Sequence, residues 1–348
     1  MEMNNYAVCK DVLGIQTNSK YIGWSFGQIV QPVDPSQLDK CRVVVRLRVD
    51  DLQQEMEAVR NLQKYHYWAG DFGRKELYYQ RNFVFGMKLR MVVKDAFGER
   101  PEIAVNKHYL KHIKWRFNNL HSPGYILTDL VCVLLLHRQM CAIHCSAFTL
   151  GGKTVLVVAP PDTGKTLTTM RAVFDYGASY ISEDLAITDG RKIYACPWTS
   201  TFRYYDELSM SRMMALRMKL IKIIPVVEIM PFPGKTRTID TYITHERIVE
   251  EAPIDYVAVL ARREGGIKVL DKDEALEMMY NLNRYEFCYR KSPMLTAYTY
   301  FNPEINLDEM AARERRILGN IVSRSQCLLV QDTDPRTFAK QIVEFIQG

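Results

Sequence analysis

The octapeptide APPDTGKT, residues 159 to 166, ends in Gly164, Lys165 and Thr166, three residues that can bind a phosphate group together. Its spacing is that of G-x-x-x-x-G-K-[ST], with Ala159 in place of the first glycine. In such a loop, backbone N–H groups and a helix N-terminus face the anion, and the lysine contacts the β- and γ-phosphates. The Ser or Thr hydroxyl binds Mg²⁺. Short motifs of this kind also occur by chance, and the alternative is a Pro/Gly turn that caps a helix.

The flanking residues favour the phosphate loop. The apolar run KTVLVV before it predicts a buried strand, and LTTMRAVFDYG after it predicts a helix from about Lys165 to Tyr176 that ends at Gly177. Strand, loop and helix therefore follow one another in the order that a phosphate site needs. The residues expected to contact the nucleotide are Ala159, Pro160, Pro161, Asp162, Thr163, Gly164, Lys165, Thr166 and Leu167.

A nucleotide-dependent enzyme also needs a carboxylate near the metal ion, and the sequence YISED supplies two. Glu183 and Asp184 stand where an apolar run ends, one short helix beyond the loop. Adjacent residues of a strand point to opposite faces, so only one of the two is expected to reach the metal directly. A solvent-facing acidic turn is the alternative for this pair.

Composition restricts the class of protein without identifying it. The chain has 348 residues, 47% hydrophobic and 25% charged, as in a globular protein with one large domain or two modest ones. Its net charge of +6 suits an anionic substrate as well as a nucleic acid. The first residues do not resemble a signal peptide, and the most apolar run, YILTDLVCVLLLH, is too short to span a bilayer. Eight scattered cysteines favour a reducing compartment, so we expect a cytoplasmic protein.

The elements around the loop divide the chain into two regions. Residues 1–121 are expected to be β-rich, because segments such as CRVVVRLRVDD alternate apolar and basic residues. Residues 122–348 mix strands and helices. They include a hairpin turn at Asp189-Gly190, a helix DKDEALEMMYNL capped by Asp271, and a last helix with Asp334 as N-cap and Pro335 at its first position. The predicted class is α/β with a mixed sheet, preceded by a β-rich region of unknown role.

The segment IHCSAFTLGGKTVLVVAPPDTGKTLTTMRAVFDYGASYISEDLAI resembles the C-terminal kinase domain of HPr kinase/phosphorylase, and more closely the HPr-kinase-related proteins of bacteria. In those proteins a strand with a histidine leads through a tight turn to a second strand and a loop A-P-P-x-x-G-K-[ST]. A helix that ends in glycine and a strand that ends in S-D-E-L follow. The resemblance is strong over roughly residues 140 to 200 and weaker from there to the last helix. It implies a phosphoenolpyruvate carboxykinase-like P-loop fold for residues 122–348.

The resemblance also implies roles for individual residues. Alanine is usual at the first glycine position, so Ala159 fits the family. Glu183 takes the position of the general base, Asp184 that of the metal ligand beside Thr166, and His144 that of the histidine next to the acid pair. The order S-E-D-L reverses the two acids relative to the family, so which of them binds the metal stays open.

Two further features depart from the family. Asp162 replaces a common glycine, although Asp tolerates the left-handed backbone conformation better than most residues. The E-I-R-G-type stretch of true HPr kinases is not recognisable, and Arg203 in TSTFRYY is the nearest candidate for an arginine that clamps the phosphates. HPr itself is therefore not the expected substrate.

Together, these residues and the resemblance predict a cytoplasmic, ATP-dependent kinase. It would transfer the γ-phosphoryl group of Mg-ATP to a hydroxyl of a small molecule, a peptide or a protein serine. The alternatives are a nucleotide-binding or ATPase module without an acceptor, and carboxykinase-type chemistry. The expected partners are ATP, Mg²⁺ and the unidentified acceptor. We expect no nucleic acid and no integral membrane segment, and a homo-oligomer is one option.

Overall fold

The computed structural model describes residues 3–19, 31–53, 55, 66–69, 75–82, 86–114, 126–197, 239 and 242–348. Its first strands form one eight-stranded sheet, here called the N-terminal sheet. They are β1 (Asn4–Cys9), β2 (Leu13–Thr17), β3 (Gln31–Pro32), β4 (Val43–Val49), β5 (His66–Ala69), β6 (Glu76–Asn82), β7 (Lys88–Lys94) and β8 (Glu102–Val105). Two helices accompany them, α1 (Pro35–Leu38) and α2 (Lys107–Lys114).

The N-terminal sheet has the order β3-β1-β2-β4-β8-β7-β6-β5 and mixes parallel and antiparallel pairs. The alternating sequence of β4 gives the strand one buried face. Val43, Val45 and Leu47 are buried on one face, while the residues between them are half-buried or exposed. The expectation of β-rich structure in this part of the chain is confirmed.

The remaining strands form a six-stranded sheet of order β12-β10-β11-β16-β18-β17 and a four-stranded sheet of order β15-β14-β13-β9. They are β9 (Cys141–Ile143), β10 (Ser146–Leu150), β11 (Lys153–Val158), β12 (Ser179–Ser182), β13 (Ala186–Thr188), β14 (Lys192–Ala195), β15 (Glu251–Pro253), β16 (Tyr256–Ala261), β17 (Gly266–Val269) and β18 (Gln326–Gln331). In the six-stranded sheet, β11, β16 and β18 run parallel to one another, and the other pairs are antiparallel. The chain is therefore a mixed α/β protein, as predicted.

The helices of the second region are α3 (Ile126–His137), α4 (Lys165–Tyr176), α5 (Lys272–Glu286), α6 (Pro293–Phe301), α7 (Leu307–Arg324) and α8 (Phe338–Gln347). The described residues also include the short 3₁₀ turns His245–Arg247, which precedes β15, and Tyr289–Lys291, which lies between α5 and α6. No helix in the described part of the chain is long and apolar enough to cross a membrane.

The two faces of the six-stranded sheet are covered by different helices. Val155 and Val157 of β11 belong to the same hydrophobic cluster as residues of α4 and α8. Leu156 and Val158, which point the other way, belong to a larger cluster that includes α3, α5 and α7. That larger cluster continues into the N-terminal sheet, so one apolar core joins the two regions. Residues 115–125 lie outside the described parts, and the boundary at about residue 121 stays a prediction.

Two helix ends differ from the sequence-based expectation. Helix α8 begins at Phe338 with Thr337 as N-cap, not at Pro335. The reason is that the Asp334 side chain accepts a hydrogen bond from the backbone N–H of Arg336 and forms a separate turn ahead of the helix. Helix α5 is capped by Asp271 as predicted but continues beyond Leu282 to Glu286. This extension brings new side chains to the end of β9.

Candidate functional site

The phosphate-loop motif connects strand β11 to helix α4 at one end of the six-stranded sheet. Gly164 is the N-cap of α4, with φ at 124°, and no side chain in the described ranges caps the helix. The first N–H groups of a helix have no intrahelical acceptor, so they can bind an anion. Asp162 lies within the loop at φ 59°, in the left-handed region that Asp tolerates. Strand, loop and helix follow the predicted order, and α4 has the predicted bounds.

Glycine is needed at position 164 both because of its backbone conformation and because neighbouring side chains pack closely against it. A Cβ atom at this position would lie 2.9 Å from Cβ of Pro335 and 3.6 Å from the ring of Phe338. Both residues belong to the chain that leads into α8, so the loop packs directly against the start of that helix. A larger residue would force the loop away from it.

Lys165, the first residue of α4, lies buried inside the loop. Its ammonium group donates a hydrogen bond of 2.6 Å to the carbonyl oxygen of Ala159, the first residue of the motif. Burial lowers the pKa of Lys165, and the nearby carboxylates of Asp184 and Glu286 act in the opposite direction. The loop therefore holds a cationic group close to two acidic side chains that come from distant parts of the sequence.

His144 and the acid pair lie where the chain passes between the four-stranded and the six-stranded sheet. Two paired segments make this passage side by side. Strand β9 belongs to the four-stranded sheet and β10 to the six-stranded sheet, and the crossing is made by His144 and Cys145. Strands β12 and β13 make the same crossing in the opposite direction at residues 183–185. Ala147 pairs with Ser182 on one side of this point and Ile143 pairs with Ala186 on the other. The pairing therefore sets the histidine beside the acid pair.

A tight turn separates the two acids. The N–H of Leu185 donates to the carbonyl oxygen of Glu183 at 2.8 Å, and Asp184 between them has φ at 70°. A bond between residues i and i+2 around a positive φ is the rare, strained form of the γ-turn. Glu183 is fully buried, whereas 40% of the Asp184 side chain is exposed. The two acids therefore differ in exposure, and Asp184 is the one of the pair that solvent can reach.

His144 contacts two carboxylates through one ring nitrogen. Its Nδ1 lies 3.9 Å from Oδ1 of Asp184 and 4.0 Å from Oε2 of Glu286. Burial, followed by the charge of Lys165, lowers the pKa of His144 to about 3. The ring is therefore neutral near neutral pH, and these contacts are polar rather than ionic. Its Nε2 is buried and has no hydrogen-bond partner within the described residues.

Glu286 was not found by the sequence reasoning. It is the last residue of α5, beyond the end predicted for that helix, and 28% of its side chain is exposed. Burial raises its pKa first and the charge of Asp184 raises it further, while Lys165 lowers it. A carboxylate at a helix C-terminus opposes the helix dipole, but the predicted helix ends at Leu282, so the sequence contains no signal for Glu286.

A buried hydrogen-bond network fixes α5 against the end of β9. Asn283, which precedes Glu286 by one helical turn, accepts from the backbone N–H of His144 at 3.0 Å through Oδ1. Its Nδ2 donates to the carbonyl oxygen of Ala142 at 3.0 Å and to the Glu314 carboxylate. Tyr289 donates to the other oxygen of Glu314 at 2.7 Å. The network positions both His144 and the end of α5.

The predicted site residues are only partly brought together. Lys165, His144 and Asp184 lie close to one another, and Thr166 follows Lys165 on α4 and is half-buried. Glu183, predicted to face the acceptor side, is fully buried beside the γ-turn, and its role as general base stays a prediction. Arg203 lies outside the described residues.

The oxygen donors of the site fit Mg²⁺ carried in by a nucleotide. No group of three or more His, Cys, Asp or Glu side chains suited to a metal ion occurs in the described parts of the chain. Mg²⁺ is usually bound through one or two carboxylates together with substrate phosphates and water, so a full protein cage is not needed. The Asp184 carboxylate and the Thr166 hydroxyl are donors of that type.

No protein-family model and no curated protein matches this chain.

Proposed function

We propose that the protein binds Mg-ATP at residues 159–167 and transfers the γ-phosphoryl group to a hydroxyl of a small molecule, peptide or protein. We further propose that residues 122–348 share the fold of the HPr-kinase-related, phosphoenolpyruvate carboxykinase-like P-loop proteins. One observation carries the proposal: the Lys165 ammonium is buried at the start of α4. There it interacts electrostatically with two carboxylates that other elements supply.

The loop would bind the nucleotide through backbone and lysine. The N–H groups at the start of α4 would hold the β- and γ-phosphates, and Lys165 would exchange its bond to the Ala159 carbonyl for a phosphate oxygen. A buried ammonium is already desolvated, so its interaction with a phosphate is stronger than that of an exposed lysine. Phosphoryl transfer depends mainly on such positioning and charge stabilisation.

Thr166 and Asp184 would hold the Mg²⁺ that enters with ATP. The hydroxyl follows the lysine directly, and solvent can reach the Asp184 carboxylate. Of the two acids in YISED, Asp184 is therefore the metal-side residue in this proposal. Glu183 was expected to be the general base, but a proton acceptor must come within about 3 Å of the hydroxyl. The Glu183 side chain has no exposed surface, so it would have to become accessible before it could serve as the base.

The proposal is tested by following labelled phosphate. The purified chain is incubated with Mg²⁺, ATP labelled at the γ-phosphate, and a panel of sugars, hydroxy amino acids and serine peptides. We expect label on at least one acceptor, and loss of transfer with Lys165→Ala or Asp184→Asn. Asp175→Asn is the matched control, because Asp175 lies on the same helix as Lys165 but is half-exposed and pairs with Arg171.

Two other results would change the conclusion. Release of ADP and phosphate without any labelled acceptor would favour a regulatory ATPase. Absence of Mg-ATP binding to the wild-type chain would contradict the nucleotide site altogether.

A further inference from the structure

Glu286 has the position that a proton acceptor of this site requires. Its carboxylate lies 4.0 Å from the same nitrogen of His144 that Asp184 approaches at 3.9 Å. It also lies within electrostatic range of Lys165. Its side chain is 28% exposed, so a bound molecule can contact it. Helix α5 therefore supplies the site with a third carboxylate that is half-buried and not engaged in the turn at residues 183–185.

The other two carboxylates are less suited to this role. Glu183 is fully buried behind the turn. Asp184 would hold Mg²⁺ in the proposed function, and a metal-bound carboxylate is a poor base. Asp162 also interacts with Lys165, but it belongs to the phosphate loop itself, and among the described residues Glu286 is the other carboxylate within 4.0 Å of His144.

We propose that Glu286 accepts the proton of the attacking hydroxyl, an inference that rests on the proposed kinase function. The acceptor oxygen forms a bond to the γ-phosphorus, and the bond from that phosphorus to the β,γ-bridging oxygen breaks. ADP leaves with the electron pair, and the hydroxyl proton passes to a carboxylate oxygen of Glu286, which returns it to water.

The surrounding network gives Glu286 the fixed position that proton transfer needs. Asn283, one turn earlier on α5, is bonded to the backbone of both His144 and Ala142. Its third bond goes to the buried carboxylate of Glu314. The end of α5 is thereby held against β9 by several buried hydrogen bonds, and a rigid element positions a reacting group better than a loop does.

The test compares four variants with water as the acceptor, the fourth being Glu286→Asp. Glu286→Gln keeps the size of the side chain but cannot take a proton, and Glu183→Gln makes the same change at the buried acid. Glu277→Gln is the matched control, because Glu277 is an exposed residue of the same helix that pairs with Arg315. For each, Mg-ATP affinity and single-turnover release of phosphate from ATP are measured with enzyme in excess.

We expect Glu286→Gln to bind Mg-ATP within a few-fold of wild type and to release phosphate about 10²-fold more slowly, the usual scale of general-base loss. Glu277→Gln should match wild type in both measurements. Glu286→Asp, which keeps the carboxylate but withdraws it by one methylene, should show a smaller loss of rate. This second variant keeps the test valid if Glu286→Gln does not fold.

Each result that contradicts the role of Glu286 leads to a different conclusion. Unchanged phosphate release in Glu286→Gln with a large loss in Glu183→Gln would return the role to Glu183. Loss of Mg-ATP binding in Glu286→Gln would make the residue a ligand of the nucleotide complex instead of a base. A wild-type chain that binds Mg-ATP but releases no phosphate also overturns the inference. A wild-type chain that does not bind Mg-ATP contradicts the kinase proposal itself.

Discussion

His144 and Asp184 meet at the point where two paired strands leave one sheet for another, with Nδ1 of the histidine 3.9 Å from Oδ1 of the aspartate. Because burial keeps the pKa of His144 at about 3, the ring does not neutralise the carboxylate. Burial raises the pKa of Asp184, and the charge of Lys165 acts in the opposite direction, so Lys165 rather than the histidine is the cationic partner of this carboxylate. This relationship explains why a histidine can lie beside acids without forming an ion pair with them.

The loop conformation predicts a specific sensitivity at Gly164. Gly164→Ala would place a methyl group 2.9 Å from Pro335 in a backbone with φ at 124°, so the loop must shift. We expect a loss of about 1–3 kcal/mol in the free energy of unfolding and at least a tenfold loss of Mg-ATP affinity. Urea unfolding and calorimetric titration with Mg-ATP measure the two effects.

Gly177→Ala is the matched control for that variant. Gly177, at the far end of α4, also has a positive φ, 73°, but a Cβ atom there would meet no atom of the described residues within 4 Å. The variant should lose about 1 kcal/mol of stability through backbone strain and keep its Mg-ATP affinity. Equal losses of affinity in the two alanine variants would contradict the role of Gly164 in the loop.

The aspartate inside the loop should weaken nucleotide binding. Asp162 is exposed at φ 59°, and asparagine tolerates that backbone as well as aspartate does. Asp162→Asn removes only the negative charge, so we expect Mg-ATP affinity to rise several-fold at low salt and the gain to shrink at high salt. Asp175→Asn, at the other end of α4, should change affinity little. A lower affinity in Asp162→Asn would show that the carboxylate assists binding.

Asp129 should make stability depend on pH. It lies buried on α3, and burial raises its pKa to about 7. Because the folded pKa is above the ordinary value, the folded state holds this proton more tightly than the unfolded state. The free energy of unfolding should therefore fall as pH rises from about 4 to about 7. Above about pH 7, the free energy of unfolding is lowered by the full cost of ionising the buried Asp129 carboxyl group.

Asp129→Asn removes this penalty while keeping the size of the side chain. Compared with wild type, the variant should be stabilised more at about pH 8 than at about pH 5, as measured by urea unfolding at both values. A difference between variant and wild type that is the same at both pH values would contradict the raised pKa. A larger gain at the lower pH would contradict its sign.

Local features of the fold could be predicted from the sequence, because short-range physics determines them. Helix α4 ends at Gly177 in the left-handed conformation, and the turn at Asp189-Gly190 has the expected positive φ at Gly190. Asp271 caps α5 through bonds to the backbone N–H groups of Asp273 and Glu274. Each of these depends on residues within a few positions of one another.

The composition of the site could be predicted only in part, because it depends on contacts between distant segments. At His144 and at residues 183–185 the chain passes between the six-stranded and the four-stranded sheet. This arrangement depends on strand pairing, and the periodicity of the sequence does not show which strands pair. Glu286 joins the site because Asn283 is anchored to β9, a contact between residues 139 positions apart. No sequence pattern indicates the burial of Glu183 or the strained turn beside it.

The central claim is that Lys165 binds the phosphates of a nucleotide. The most direct measurement is the rise in melting temperature that saturating Mg-ATP causes, because a ligand that binds only the folded state stabilises it in proportion to RT ln(1 + [L]/Kd). This rise is measured for wild type, Lys165→Ala and Lys153→Ala. The last variant is the control, because Lys153 is an exposed lysine of β11 that pairs with Asp255. We predict a clear rise for wild type and Lys153→Ala and none for Lys165→Ala. An equal rise in all three proteins would contradict the phosphate loop.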